Sequence, residues 1–145
     1  MLTMKYRTAE ASLRVSPPES AEATHVSSTD DFAVIPATSR MIELMEIAAA
    51  RLMRTHLGAG ETSVAVAMNV TYVAHSLRHL HGTSTMRAVA SYNGIAGRLH
   101  RFRINAFDES GLIGTAEHSR AIVVERRLMG IARRRAGEPG MLLMV

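Results

Sequence analysis

One segment constrains this chain more than any other: residues 38–56. It is rich in Met, Leu, Glu, Ala and Arg, all good helix formers. Pro36 precedes it, Thr38 or Ser39 can cap it by accepting a backbone N–H, and Gly58 and Gly60 stop it. At about 100° per residue, Arg40, Glu43, Arg51 and Arg54 fall on one narrow stripe. Nearly all the rest is apolar: Met41, Ile42, Leu44, Met45, Ile47, Ala48, Ala49, Leu52 and Met53. A helix that is apolar around most of its girth must be buried on most sides. The rest of the chain has to wrap it.

That remainder reads as strands. Residues 6–15 form a short strand, ended by Pro17 and Pro18, which remove ladder donors. Residues 20–26 suggest a second short edge strand, followed by a polar loop over 27–31. Beyond the helix, residues 63–76 alternate. Val64, Val66, Met68, Val70, Tyr72 and Ala74 share one face, and Ser63, Ala65, Ala67, Asn69, Thr71 and His75 share the other. Residues 83–92 lead to Asn93-Gly94, a strong hairpin signal. Residues 98–107 close at Asp108-Glu109-Ser110-Gly111, and a last strand runs over 112–125.

One buried helix followed by an antiparallel meander is an α+β arrangement. A chain of 145 residues predicts a single domain, with a core over about residues 5–127 and a basic tail over 128–145. The sheet has one helix to cover it, so it should curl around that helix. Both faces of 63–76 are largely apolar, and the outer face and edges need cover. A homodimer or dimer of dimers is expected.

Composition narrows the function. The chain has no cysteine, which excludes disulfides, thiolate zinc and Cys nucleophiles. No signal-like stretch opens it and no run approaches a membrane span, so the expectation is a cytoplasmic protein without a membrane partner. The net charge is +4, much of it from Arg126, Arg127, Arg133, Arg134 and Arg135. A solvated helix end explains that cluster better than nucleic acid does, because aromatics are only 4% and no stacking platform exists. The run from His75 through His79 to His81 fits no zinc pattern and reads as an exposed turn, so no metal is expected. There is no P-loop, dinucleotide turn, G-x-S-x-G or H-E-x-x-H motif.

Five residues besides the helix stripe invite a chemical reading. Glu46 lies about 100° from that stripe, beside Ile42, Ala49, Ala50 and Met53. A carboxylate on an apolar flank is either a functional acid or base with a shifted pKa, or a structural ion-pair partner. Thr38 is either a plain N-cap or, with the helix-start N–H groups, a donor to a developing oxyanion. Tyr72 points its ring toward the helix and packs the core or pairs its hydroxyl with Glu46. His118 and Arg120 share a face of the last strand, where they bind a carboxylate or phosphate or line a dimer contact.

Ala37-Thr38, Met45-Glu46, Leu57 with Gly60-Glu61, Val70-Thr71-Tyr72, and Ile113-Gly114 with His118, Arg120 and Ala121 together resemble the fluoroacetyl-CoA thioesterase group of hotdog proteins. The resemblance spans roughly residues 15–130, and the spacings from Thr38 to Glu46 and from Glu46 to Tyr72 fit without gaps. It implies a five-stranded antiparallel sheet around a central helix, dimerisation, and active sites near the dimer interface. It also implies hydrolysis of a small acyl-CoA thioester, with no cofactor beyond the CoA of the substrate. Its threonine, glutamate and histidine carry over as Thr38, Glu46 and, in place of histidine, Tyr72. A glycine the family uses near the thioester carbonyl is Ala65 here, which makes Ala65 a substrate-binding position with His118 and Arg120. These departures argue against selectivity for a fluorinated substrate. They leave a general acyl-CoA thioesterase and a non-catalytic acyl-CoA binder as the two readings.

Overall fold

The computed structural model describes residues 7–15, 38–74 and 83–138, with the side chains of residues 15, 38 and 39 outside that set. The expected strand at 20–26, the loop at 27–31 and the histidine run 75–81 lie outside the described residues. The elements are β1 (Thr8–Val15), α1 (Thr38–Arg54), β2 (Glu61–Tyr72), β3 (Ser84–Ala96), β4 (Leu99–Asp108), β5 (Gly111–Val124) and α2 (Glu125–Arg135). The strands form one sheet in the order β1-β3-β4-β5-β2, with every neighbouring pair antiparallel. Among the described residues β1 and β2 are therefore its edges.

The sheet packs on α1 through complementary sizes. The helix contributes Met41, Leu44, Met45, Leu52 and Met53, with Ala48 and Ala49 between them, all buried. The sheet answers mainly with small side chains: Ala11, Ala88, Ala90, Ala106 and Ala116. Small residues let the helix sit close, and its long side chains fill the space between them. Each buried Leu or Met contributes about 1.5–3 kcal/mol relative to exposure. The closest approach is at Gly114, where an added Cβ would lie 2.7 Å from the Met41 sulfur. The outward face is polar across β3, β4 and β5, with Arg87, Arg101, Arg103 and Glu117 exposed. Exposed apolar side chains stand around β2, at Val66 (52% exposed) and Val73 (53%), and also at Ile95 on β3 and at Met129 and Ile131 on α2.

Two local expectations change. Asn93-Gly94 is not the hairpin turn: β3 runs on to Ala96, and the register shifts between Tyr92 and Ile95. Gly94 takes φ +94 within that irregularity, and Gly97, at φ +62, makes the turn into β4. Both sites need a residue that tolerates positive φ, so glycine alone did not tell them apart. The second change is in β2, where the register shifts between Ala65 and Ala67. A bulge reverses the phase of alternation. Ser63 and Ala65 consequently pair near Ile122 and Arg120 on the same face that carries Met68, Val70 and Tyr72 further along. The turn at Asp108 forms as expected, its Oδ1 accepting from the N–H groups of Ser110 and Gly111 at 2.8 and 3.1 Å.

Candidate active site

β5 presents Gly114, Ala116, His118 and Arg120 to the helix, all buried. His118 and Arg120 are polar groups in an apolar interior and need partners to be tolerated there. They find them on β2. Arg120 Nε donates to Ser63 Oγ at 3.0 Å, and Nη2 donates to the Ser63 carbonyl at 3.0 Å. Arg120 Nη1 donates to His118 Nε2 at 3.2 Å, and His118 Nδ1 donates to the Ala67 carbonyl at 2.8 Å. The β2 bulge makes this possible, because it turns Ser63 inward while leaving the Ala67 carbonyl aimed at His118.

Glu46 faces this pair from α1. It is half-buried, and its carboxylate acts on both His118 and Arg120, favouring their charged forms. Burial still dominates: it lowers the His118 imidazole below its ordinary value, and Arg120 lowers it further. Burial likewise pulls down the Arg120 guanidinium, which Glu46 opposes. No hydrogen bond joins Glu46 to either. The result is a carboxylate held opposite a buried, hydrogen-bonded cation, free to accept a proton or a water.

Other expected residues sit elsewhere. Thr38 opens α1, with its side chain outside the described set. Ala65 is exposed and pairs with Arg120. Tyr72 ends β2 opposite Gly114, is 48% exposed and makes no hydrogen bond to Glu46. It stands four residues along the strand from Met68, the partner of His118, or about 13 Å. Gly114 packs on Met41, in the first turn of α1, so Tyr72 belongs to the level where the helix begins. The structure thus brings Glu46, His118 and Arg120 together and places Tyr72 nearer Thr38.

Residues 19–126 match the family model described as fluoroacetyl-CoA-specific thioesterase. The chain belongs to that family. A curated fluoroacetyl-CoA thioesterase of Streptantibioticus cattleyicolor is 33% identical over 93 residues, covering 64% of this chain and 64% of that relative, just under two thirds of its length. A variant of the fluoroacetyl-CoA-specific thioesterase FlK superposes with a TM-score of 0.78 at 25% identity, covering 93% of this chain and 99% of the other. A hypothetical protein of Thermus thermophilus described as a thioesterase superfamily member reaches 0.80 at 21% identity, covering 94% and 96%, and shares the fold. The five-stranded sheet around α1 is a hotdog fold, as the sequence resemblance implied.

Within this family frame, sequence reasoning missed four groups. Ser63 and the Ala67 carbonyl escaped because strict alternation places them on the wrong face. Tyr92 shares the inward face of β3 with Met86, Ala88 and Ala90, and His100 that of β4 with Phe102, Ile104 and Ala106, so strand alternation was the signal that could have found them. His100 is buried, and its Nδ1 lies 3.2 Å from the Tyr92 hydroxyl. Tyr92 packs edge-on against Phe102, with centroids 5.7 Å apart, and Phe102 tilts against His118 at 6.2 Å. A row of rings therefore crosses the inward face from His100 to His118. A hollow of about 200 Å³ is lined by Ala67, Phe102 and His118 of the network together with Arg101, Glu117 and Ser119, and does not include Glu46. Among the described residues no group of His, Asp and Glu is arranged to hold a metal, and no helix is long and apolar enough to cross a membrane.

Proposed function

We propose that this protein hydrolyses a small acyl-CoA thioester to the free acid and CoA, as a cytoplasmic homodimer or dimer of dimers. The observation that carries the reading is the Glu46 carboxylate facing the buried His118–Arg120 pair, in a chain of this family. A solved relative is described in complex with fluoroacetate and CoA, and another with acetyl-CoA. The reaction needs no cofactor beyond the CoA carried by the substrate.

The helix spacing favours one division of labour. Eight residues separate Thr38 from Glu46, or about 12 Å of helix axis. Helical side chains lean toward the N-terminus, so the Glu46 carboxylate reaches back along α1. A thioester carbonyl held by the helix-start N–H groups and Thr38 then lies one water away from Glu46. Glu46 acts as the general base on that water rather than attacking the carbonyl itself. Tyr72, at the helix-start level, serves the leaving sulfur. Arg120, anchored by Ser63 and His118, stands opposite the Glu46 carboxylate and lines the acyl side with His118 and Ala65. Among the described residues no strand pairs with the outer edge of β2, beside Val66 and Val73, and a second copy would add its own strand there.

The test is Glu46→Gln, which keeps shape and hydrogen-bonding atoms. Thiol release from a panel of short acyl-CoAs should fall on the order of 10²-fold, with unchanged melting and CoA binding. A well-folded variant with unaltered turnover would falsify the assignment. A wild-type protein that binds acyl-CoAs yet releases no thiol from any of them would instead be a non-catalytic binder.

A further inference from the structure

We propose that Asn93-Gly94, in the irregularity of β3, is a site of spontaneous covalent modification, where water converts the Asn93 amide to an aspartyl or isoaspartyl residue. The chemistry is independent of the acyl-CoA reading. The chain holds three asparagines, and the fold sets this one apart from Asn69 and Asn105. Asn69 pairs with Glu117, and Asn105 pairs with Val89 and Thr115, each inside an unbroken run of the ladder. Asn93 and Gly94 have no such partner. The register passes from Tyr92 with Phe102 to Ile95 with His100, so two residues of β3 stand opposite the single Arg101. Asn93 is also exposed, so water reaches it.

The reaction requires the backbone nitrogen of the following residue to reach the side-chain carbonyl carbon. A paired strand opposes this, because its N–H groups are held in the ladder while side chains stand perpendicular to it. A Cβ on the following residue crowds the approach further. Neither obstacle stands at Gly94, which has no Cβ, takes φ +94 and lies outside the register. Asn69 is instead followed by the β-branched Val70, and Asn105 by Ala106. Exposure alone does not make the difference, since Asn69 is exposed too and lines the same hollow as Asn93. The Gly94 nitrogen gives up its proton and bonds to Asn93 Cγ. The Cγ–Nδ2 bond breaks, and ammonia leaves with a proton in place of the one given up. Water then opens the cyclic imide at one of its two carbonyl carbons. Breaking the bond between Cγ and the Gly94 nitrogen leaves an aspartyl residue. Breaking the bond between the main-chain carbonyl and that nitrogen leaves an isoaspartyl residue, whose backbone is one methylene longer. The bulge already carries one residue more than the strand opposite, so it takes up that length locally. Either product places a carboxylate opposite Arg101, which has no ion pair among the described residues.

The experiment incubates the full chain folded and, in a parallel sample, unfolded in urea, at neutral and mildly alkaline pH. Peptide mass mapping follows the change from amide to acid at each asparagine, and enzymatic methylation counts isoaspartate. In the folded chain position 93 should convert at a rate within about 10-fold of that in the unfolded chain, since a bulge needs little opening. Asn69 and Asn105 should stay intact over the same time. The rate should rise with pH, because the Gly94 nitrogen must lose its proton before it attacks. Asn93→Gln, which would need a larger ring, and Gly94→Ala, which restores a Cβ, should each stop the conversion on that time scale. Melting curves check that both variants fold, and Asn93→Gln keeps the test sound even if the positive φ strains Gly94→Ala. Folded protein whose position 93 converts far more slowly than the unfolded chain overturns the proposal. So does conversion of Asn69 at the rate of Asn93, or acid that still forms at position 93 in Asn93→Gln.

Discussion

Two buried histidines stand on the inward face of the sheet, and their partners hold them in different ways. His118 lies between the Ala67 carbonyl and the Arg120 guanidinium. A carbonyl only accepts and a guanidinium only donates, so Nδ1 must carry the proton and Nε2 must be bare. His100 faces the Tyr92 hydroxyl. A hydroxyl donates or accepts by rotating, so either tautomer of His100 is satisfied. Burial lowers the pKa of both rings, with help from Arg120 for His118 and from His56 for His100. Burial alone thus does not distinguish a site from packing. The fixed direction of the partners does, and only His118 belongs to the network that also holds Arg120 opposite Glu46.

The sharpest way to break this contrast is Arg120→Met. The change strands the Ser63 hydroxyl, the Ser63 carbonyl and His118 Nε2 at once. Unpaired buried groups cost about 1–3 kcal/mol each, and partial rehydration at the strand edge trims the sum, so a loss of about 3 kcal/mol is expected in urea unfolding. Turnover in the folded fraction should fall as well, since Glu46 loses the cation opposite it. Full stability in this variant would mean that the network is incidental.

A smaller effect separates the rings directly. His118→Phe removes the bonds to Ala67 and Arg120 and should cost about 2 kcal/mol, with a fall in turnover. His100→Phe removes one bond, to Tyr92, and should cost about 1 kcal/mol while turnover is retained. Denaturation and thiol-release assays on the same pair of proteins decide the matter. Equal losses of turnover would show that the row of rings acts as one unit.

The sequence made much of this legible, and the exceptions share a cause. α1 was plain because its apolar girth and its Gly stops agree, and His118 and Arg120 were placed together because β5 alternates without a break. In sequence β2 also alternates, through Val64, Val66 and Met68, yet its bulge makes the first part of that pattern face the other way. A single inserted residue leaves no mark in hydrophobicity, and so Ser63 was hidden. Gly94 misled for a related reason, since a positive φ inside a strand and one at a turn call for the same residue. Glu46 was visible as a carboxylate on an apolar flank, but its partners on β5 lie more than seventy positions away and follow from strand order alone.

The gentlest test perturbs nothing. ¹⁵N spectra of the imidazoles, followed as pH falls, should show His118 as the pure Nδ1–H tautomer and His100 as a mixture or as the form Tyr92 favours. His100 should take up a proton at higher pH than His118, because Tyr92 can turn to accept from the imidazolium, whereas a proton on His118 Nε2 would point at a guanidinium. Both rings are held below the ordinary value of 6.5, chiefly by burial. As pH drops below that value the unfolded chain protonates first, which pulls the equilibrium toward unfolding. The stability that depends on these neutral rings is therefore complete above about pH 6.5 and is lost as pH falls toward the folded-state values. Phe at either position should flatten part of that acid limb, and His118→Phe should flatten the part at lower pH. If His118 titrates first, or if its Nδ1 is found unprotonated at neutral pH, then the Ala67 carbonyl does not set its tautomer and the distinction between the two rings fails.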